Sequence, residues 1–329
     1  MSGYVDREYV AKKRYYLSTN SMERDKSPIV EKPSPFVTPS LDIQLQTITA
    51  LAEQSRQKEI WRDEVEIKVQ TRGLPFMLMP LADCHIGAKG VDYEALKRHF
   101  DFIKSNPVYT VLVGDLSDNF MPSKHPSAMM EDVETPTDQF ALIRAFFKEY
   151  QDKILTSVGG GQHDNWTNET AGLDIHKWLS EDLNIPLLKS GGALKLKVDE
   201  QDYKVRLWHK IGRLNSQFNY THAGKQALRL AGDDSDVIIT ADKHLGAVEE
   251  TFIGDKKRTI CQLGTFKVED EFGRNMGLVQ RPQPFYPVFL FFSGQHNIEA
   301  IENLGQAEEM IGMMKKYYKQ LGVANLGMK

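Results

Sequence analysis

Two cysteines, Cys84 and Cys261, stand in 329 residues, which leaves no disulfide framework and matches the usage of a reduced, cytoplasmic protein. An apolar leader core is missing from the first residues, consistent with that compartment. Apolar runs of the roughly 18 to 20 residues that cross a bilayer are missing too; the longest, such as Pro287 to Phe292, are strand-sized. No membrane role follows. Charge of one sign is not in excess: the formal net charge is −4 and the pI is near 6.2. Any affinity for a polyanion must therefore be local. There is no repeat, and no linker interrupts the chain after residue 64.

What is present is an alternation of strand and helix patterns. Residues 1–39 mix charge with Ser and Pro and show neither apolar period, so they read as a tail. In the segment 40–63, Ser40 is placed to cap a helix whose Leu41, Leu45, Ile48, Leu51 and Ala52 recur at helical spacing. That stripe suits packing against the main domain or a partner, and a protein partner or a second copy of the chain stays open. From Glu64 to residue 297, βαβ rhythm gives way to antiparallel hairpins, which predicts one α/β domain. Strands are expected at 75–82, 110–113, 154–158, 193–198, 203–209, 237–240 and, last, 288–292. Helices are expected near 92–104, 138–150, 171–183 and 222–231. Residues 298–329 close the chain with a helix from about 301.

Four short segments end apolar, β-prone runs: Asp83-Cys84-His85, Gly114-Asp115-Leu116-Ser117-Asp118, Gln162-His163-Asp164-Asn165 and Ala241-Asp242-Lys243-His244. Strand ends are where α/β folds place reactive groups. Asp83 and His85 are two apart, so an extended backbone would turn both to one face. Asp242 and His244 repeat that spacing. A carboxylate beside an imidazole suits Mn²⁺, Fe or Zn²⁺ better than Ca²⁺. Asp115, with two oxygens, could bridge ions about 3.5 to 4 Å apart. Gln162 offers a neutral oxygen, and His163 an imidazole able to protonate a leaving oxygen. His209 ends an alternating strand as a further ligand or as a hydrogen-bonded strand histidine. Asp164 is taken with His163 as catalytic, Asp164 and Asp118 being suited to orient ligating histidines. Cys84 faces away and reads as core. The glycines 159–161 lack the Lys-Ser/Thr of a P-loop and serve a turn.

In order and spacing these segments resemble the calcineurin-like metallophosphoesterases, whose pattern is D-x-H, G-D-x-x-D, G-N-H-D/E, a lone His and G-H-x-H. The resemblance spans about residues 76–250. It implies a four-layer sandwich of two mixed β-sheets flanked by helices, and a dinuclear centre that activates a hydroxide for in-line attack on phosphorus. One ion would take Asp83, His85, Asp115 and His244; the other Asp115, Gln162, His209 and Asp242; His163 would be the acid. Two positions depart from the pattern: Gln162 stands for Asn and Asp242 for His. Both fall on the second ion, making that site richer in oxygen, so Mn²⁺ or Mg²⁺ is favoured over Zn²⁺.

Asp83-Cys84-His85-Ile86-Gly87 and Gly114-Asp115-Leu116-Ser117-Asp118 are closest in flavour to double-strand-break repair nucleases. His209-Lys210-Ile211-Gly212 and Asn219 to His222 are loosely similar to phage-encoded metallophosphoesterases. Between Lys189 and Arg229 stand nine Lys/Arg against three acids, a local surplus that could track a nucleic-acid backbone or simply face solvent. Arg213, His222 and Lys225 are the candidate phosphate contacts. The expected function is a metal-dependent phosphodiesterase acting on DNA. The alternatives are a phosphomonoesterase or small-molecule phosphodiesterase, and a degenerate metal-binding assembly protein.

Overall fold

Eleven strands form one sheet, ten of them along a single hydrogen-bonded path, in this computed structural model, which describes residues 40–57, 60–120, 132–212, 216, 218–230, 232–269, 274–275, 277 and 284–320. They are β1 (Trp61–Val69), β2 (Phe76–Leu78), β3 (Val108–Leu112), β4 (Ile154–Val158), β5 (Leu187–Val198), β6 (Gln201–Trp208), β7 (Val237–Thr240), β8 (Ala247–Ile253), β9 (Lys256–Gln262), β10 (Val288–Phe291) and β11 (Ile298–Ile301). The described α-helices are α1 (Leu41–Gln57), α2 (Tyr93–Ser105), α3 (Pro136–Glu149), α4 (Gln162–Ala171), α5 (Ile175–Leu183), α6 (His222–Leu230) and α7 (Leu304–Gln320). The strand order is β11-β10-β2-β3-β4-β5-β6-β7-β9-β8, with β1 parallel to β5. Pairs β2–β3, β3–β4 and β4–β5 are parallel, whereas β5–β6 and β8–β9 are antiparallel hairpins. The fold is mixed α/β.

The path turns at β5. Leu187 and Leu188 pair with β4, and from Gly192 onward the same strand pairs with β6. Between them Gly191 takes φ +79, and a Cβ there would sit 2.4 Å from the Trp208 ring; only glycine fits this bend. Distant strands consequently face each other. The Tyr203 hydroxyl on β6 reaches the carbonyls of Phe292 and Gln295 at 2.5 and 3.0 Å, and its ring lies 5.2 Å from Phe291 of β10. One buried cluster holds Leu78, Val111, Leu194, Val205 and Val288 together. The two expected sheets are thus layers of one ladder.

Helices cover this core because their apolar residues recur on one face. Leu96, Phe100 and Ile103 of α2 and Phe140, Ile143 and Phe147 of α3 are buried in the same cluster. Asp92 caps α2 by accepting from the Ala95 N–H at 2.8 Å, and Thr135 precedes Pro136 at the start of α3. Emptying a site such as Phe100, fully buried, would cost about 3 to 5 kcal/mol.

Some boundaries differ from expectation. A strand, β11, precedes the last helix; its Glu299 and polar flank hid it from the alternation rule. The expected helix at 171–183 is two helices, and α4 already begins at Gln162. The first sheet strand starts at Trp61, and the chain's contacts divide between residues 59 and 60. The tail lies outside the described residues. In α1 the Ser40 hydroxyl accepts from Ile43 N–H at 3.4 Å, while Leu41, Leu45, Ile48 and Leu51 are exposed. Among the described residues no helix is long and apolar enough to cross a membrane.

Candidate metal centre

Beyond β2 the chain continues beside β3 through alternate backbone hydrogen bonds: Leu81 N–H to Val111, Asp83 N–H to Gly114 and His85 N–H to Asp115. The extended backbone expected for Asp83 and His85 is not what aims them. Asp83 takes φ +48 and His85 +45, and Asp115, Asp242 and His244 take +48, +71 and +58. Five ligand candidates therefore sit in the left-handed region, each at a cost of about 1 to 2 kcal/mol. The folded ladder meets that cost to converge side chains from loops after β2, β3 and β7.

Among the described residues three groups of ligand atoms result, the atoms of each within 4.8 Å of one another: Asp83, His85 and His244; Asp83, Asp115 and His209; and His85, Asp118 and His163. His85 Nε2 faces His244 Nε2 at 3.0 Å, and His244 Nε2 lies 3.5 Å from Asp83 Oδ1. His209 Nε2 stands 3.0 Å from Asp115 Oδ2 without the alignment of a hydrogen bond. The outer nitrogens are occupied. His85 Nδ1 is 2.8 Å from Asp118 Oδ1 and His209 Nδ1 is 2.7 Å from the Val113 carbonyl. A proton on each Nδ1 leaves the Nε2 lone pairs pointing inward, as metal ligation requires. Asp83 Oδ1 and His209 Nε2 are buried with no hydrogen-bond partner. Such orphaned atoms fit a divalent cation, which would satisfy them.

The electrostatics agree. Burial opposes the Asp115 charge, yet His209, His163 and His85 outweigh it and hold the carboxyl far below the usual range. Burial likewise opposes a charged His209, but Asp115, Asp83 and Asp242 pull its pKa up to about 10, so the inner nitrogen carries a proton that a bound ion would displace. The carboxylates set a potential that seeks positive charge.

A supporting shell fixes these groups. Asp118, buried, bonds His85 and receives the Lys267 ammonium at 3.1 Å; Lys267 is itself buried and lies over the Phe120 ring. Asp164 accepts the backbone N–H groups of Leu116 and Ser117 at 3.0 Å and the Ser117 hydroxyl at 2.8 Å. Its other neighbour is His176, 3.2 Å away, which meets Ser157 at 2.9 Å. The Asp164 oxygens are thus spent on holding the Asp115 turn. Lys267 and His176 escaped sequence reasoning, and no local pattern marks either of them.

His163 donates its backbone N–H to Asp115 Oδ1 at 3.0 Å, and its Nδ1 bonds the Asp118 carbonyl. Its ring lies 4.7 Å from His85 and 4.3 Å from Trp166, and burial lowers its pKa. Gly161 lets α4 start here: a Cβ would lie 2.5 Å from the Asp115 nitrogen. Gln162 is exposed, its Nε2 3.1 Å from Asp242 Oδ1. Cys84 is fully buried, and burial pushes its thiol up.

Of the phosphate-contact candidates, Arg213 lies outside the described residues. His222 opens α6, and Lys225 pairs with Glu249 at 2.6 Å. Of the nine basic residues between 189 and 229, six face carboxylates: Lys189, Lys195, Lys204, Arg206, Lys210 and Lys225 meet Asp63, Glu64, Asp234, Asp233, Asp242 and Glu249.

No family model matches the chain, and no curated protein does. Its structural neighbours include Vps29 and a metallophosphoesterase. Zn²⁺-complexed wild-type Vps29 of Entamoeba histolytica is 13% identical, with 69% of this chain and 98% of that one covered and a TM-score of 0.33. A metallophosphoesterase from Sphaerobacter thermophilus is 12% identical, with 77% and 98% covered and a TM-score of 0.32. GAP50 of Plasmodium, described as the anchor in the inner membrane complex, is 12% identical, with 70% and 85% covered and a TM-score of 0.36.

Proposed function

We propose that this protein is a metal-dependent phosphodiesterase. The observation that carries the reading is the convergence of Asp83, His85, Asp115, His209 and His244, with two buried orphaned ligand atoms, beside His163. A divalent ion held by Asp83, His85, Asp115 and His244 would supply Lewis acidity and a water of lowered pKa. The protein's own groups do the rest. Asp118 and the Val113 carbonyl hold two imidazoles in the ligating tautomer. His163, anchored through Nδ1, keeps Nε2 to carry a proton to a leaving oxygen. Two carboxylates beside two imidazoles suit Mn²⁺, Fe or Zn²⁺.

Nucleic acid, DNA first, is the proposed substrate, on the strength of the D-x-H-I-G and G-D-L-S-D motifs. A small phosphodiester is the second reading, favoured by the pairing of six basic residues with carboxylates, which leaves less positive surface for a phosphate backbone. One assay panel separates the readings: single- and double-stranded DNA, RNA, bis-p-nitrophenyl phosphate and p-nitrophenyl phosphate, each with Mn²⁺, Mg²⁺ or Zn²⁺. Cleavage of DNA and of the synthetic diester supports the nuclease. Turnover of the synthetic diester alone favours the second reading, and turnover of the monoester alone defeats both.

A further inference from the structure

Asp242 occupies the position from which the motif order would draw a ligand for a second ion, yet both its oxygens are already engaged. Oδ1 lies 3.1 Å from the Lys210 ammonium and 3.1 Å from Gln162 Nε2, and Oδ2 is bonded by the Lys243 ammonium. The side chain of Asp242 is 9% exposed, and those of Lys210 and Lys243 are 34% and 26% exposed. Two ammonium groups on one largely buried carboxylate are a deliberate charge arrangement, since a lone pairing would already neutralise it. Both lysines follow site residues in sequence, Lys210 after His209 and Lys243 after Asp242, so the same strand ends that deliver the ligands deliver the ammoniums.

We infer that Lys210 and Lys243 take the place of the second metal ion, making this a centre of one divalent ion and a lysine pair. The inference rests on the reading of the site as metal-binding. With Asp242 committed, the second position keeps Asp115 and His209, which share Asp83 with the first position, and Gln162 turns an N–H toward Asp242 rather than a free acceptor toward an ion. The first position keeps Asp83, His85 and His244 together. A divalent ion approaching Asp242 would meet two like charges within contact distance of its ligand, which disfavours it. Each ammonium has three donors, so both can hold Asp242 and still offer an N–H to an anionic oxygen.

The test counts metal. The full chain is saturated with Mn²⁺, freed of excess ion and measured by elemental analysis and electron paramagnetic resonance. The wild type is expected to hold one Mn²⁺ per chain with an uncoupled spectrum. The Lys210→Met/Lys243→Met double variant, its fold checked by circular dichroism, is expected to hold two with an exchange-coupled spectrum. Lys210→Arg/Lys243→Arg keeps the charges and is expected to hold one. Two ions in the wild type would overturn the inference and leave the metal-dependent reading standing. One ion in all three chains would also overturn it, because the lysines would then not be what excludes the second. No ion in any of them would defeat the metal-dependent reading itself.

Discussion

Asp118 Oδ1 stands 2.8 Å from His85 Nδ1 and 3.1 Å from the ammonium of buried Lys267. One carboxylate thereby sets a ligand's tautomer and neutralises a buried cation. Asp118→Asn keeps the shape and removes the charge. Metal affinity is expected to fall about 10- to 100-fold, and stability by about 1.5 to 3 kcal/mol because the Lys267 ammonium loses a charged hydrogen-bond acceptor. Mn²⁺ titration calorimetry and urea unfolding measure the two effects. Unchanged affinity would mean that Asp118 does not position His85.

The left-handed backbone at Asp242 makes a second prediction. Asp242→Ala and Asp242→Gly lose the same carboxylate and the same lysine contacts, so their difference isolates φ +71. The glycine variant is expected to be the more stable by about 1 kcal/mol. Equal unfolding midpoints would show that the backbone there relaxes without cost.

His163 is expected to act on the leaving group. His163→Gln should lower kcat about 100-fold or more on a substrate with a poor alkoxide leaving group. The loss should be far smaller on bis-p-nitrophenyl phosphate, whose leaving group needs little help from a proton. Metal content should not change. Equal losses on both substrates would remove His163 from the acid role.

The strand-end logic was legible: Asp83, His85, Asp115 and His244 each follow an apolar run, and the structure brings them to one place with His209 and Asp242. Their backbone was not legible, because a left-handed φ at Asp or His has no sequence mark and is imposed by the neighbouring strands. Nor could local charge show that Lys195 and Arg206 meet Glu64 and Asp233. Those carboxylates lie outside the window that made the segment look basic, and only the ladder brings β1 and the segment before β7 alongside it. Lys267 was hidden for the same reason: its partner Asp118 is 149 positions away.

Asp132 carries the pH prediction. Burial and the adjacent Asp118 carboxylate raise its pKa from 3.8 to about 8; its Oδ2 accepts the Phe120 N–H at 3.1 Å, and its buried Oδ1 has no other partner. A raised carboxyl pKa means that the folded state binds the proton more tightly than the unfolded state. The resulting stability is full below about 3.8, shrinks as pH rises, and is gone above about 8. The slope is at most about 1.4 kcal/mol per pH unit, and less here because the group is partly exposed. Asp132→Asn has no proton to lose. Wild-type stability in urea should therefore fall more steeply than that of Asp132→Asn between pH 6 and 8, in the upper part of that window, all other titrating groups being common to both chains. Parallel profiles would mean that Asp132 ionises in the folded protein as it does in the unfolded chain, and that Asp118 does not share a proton with it.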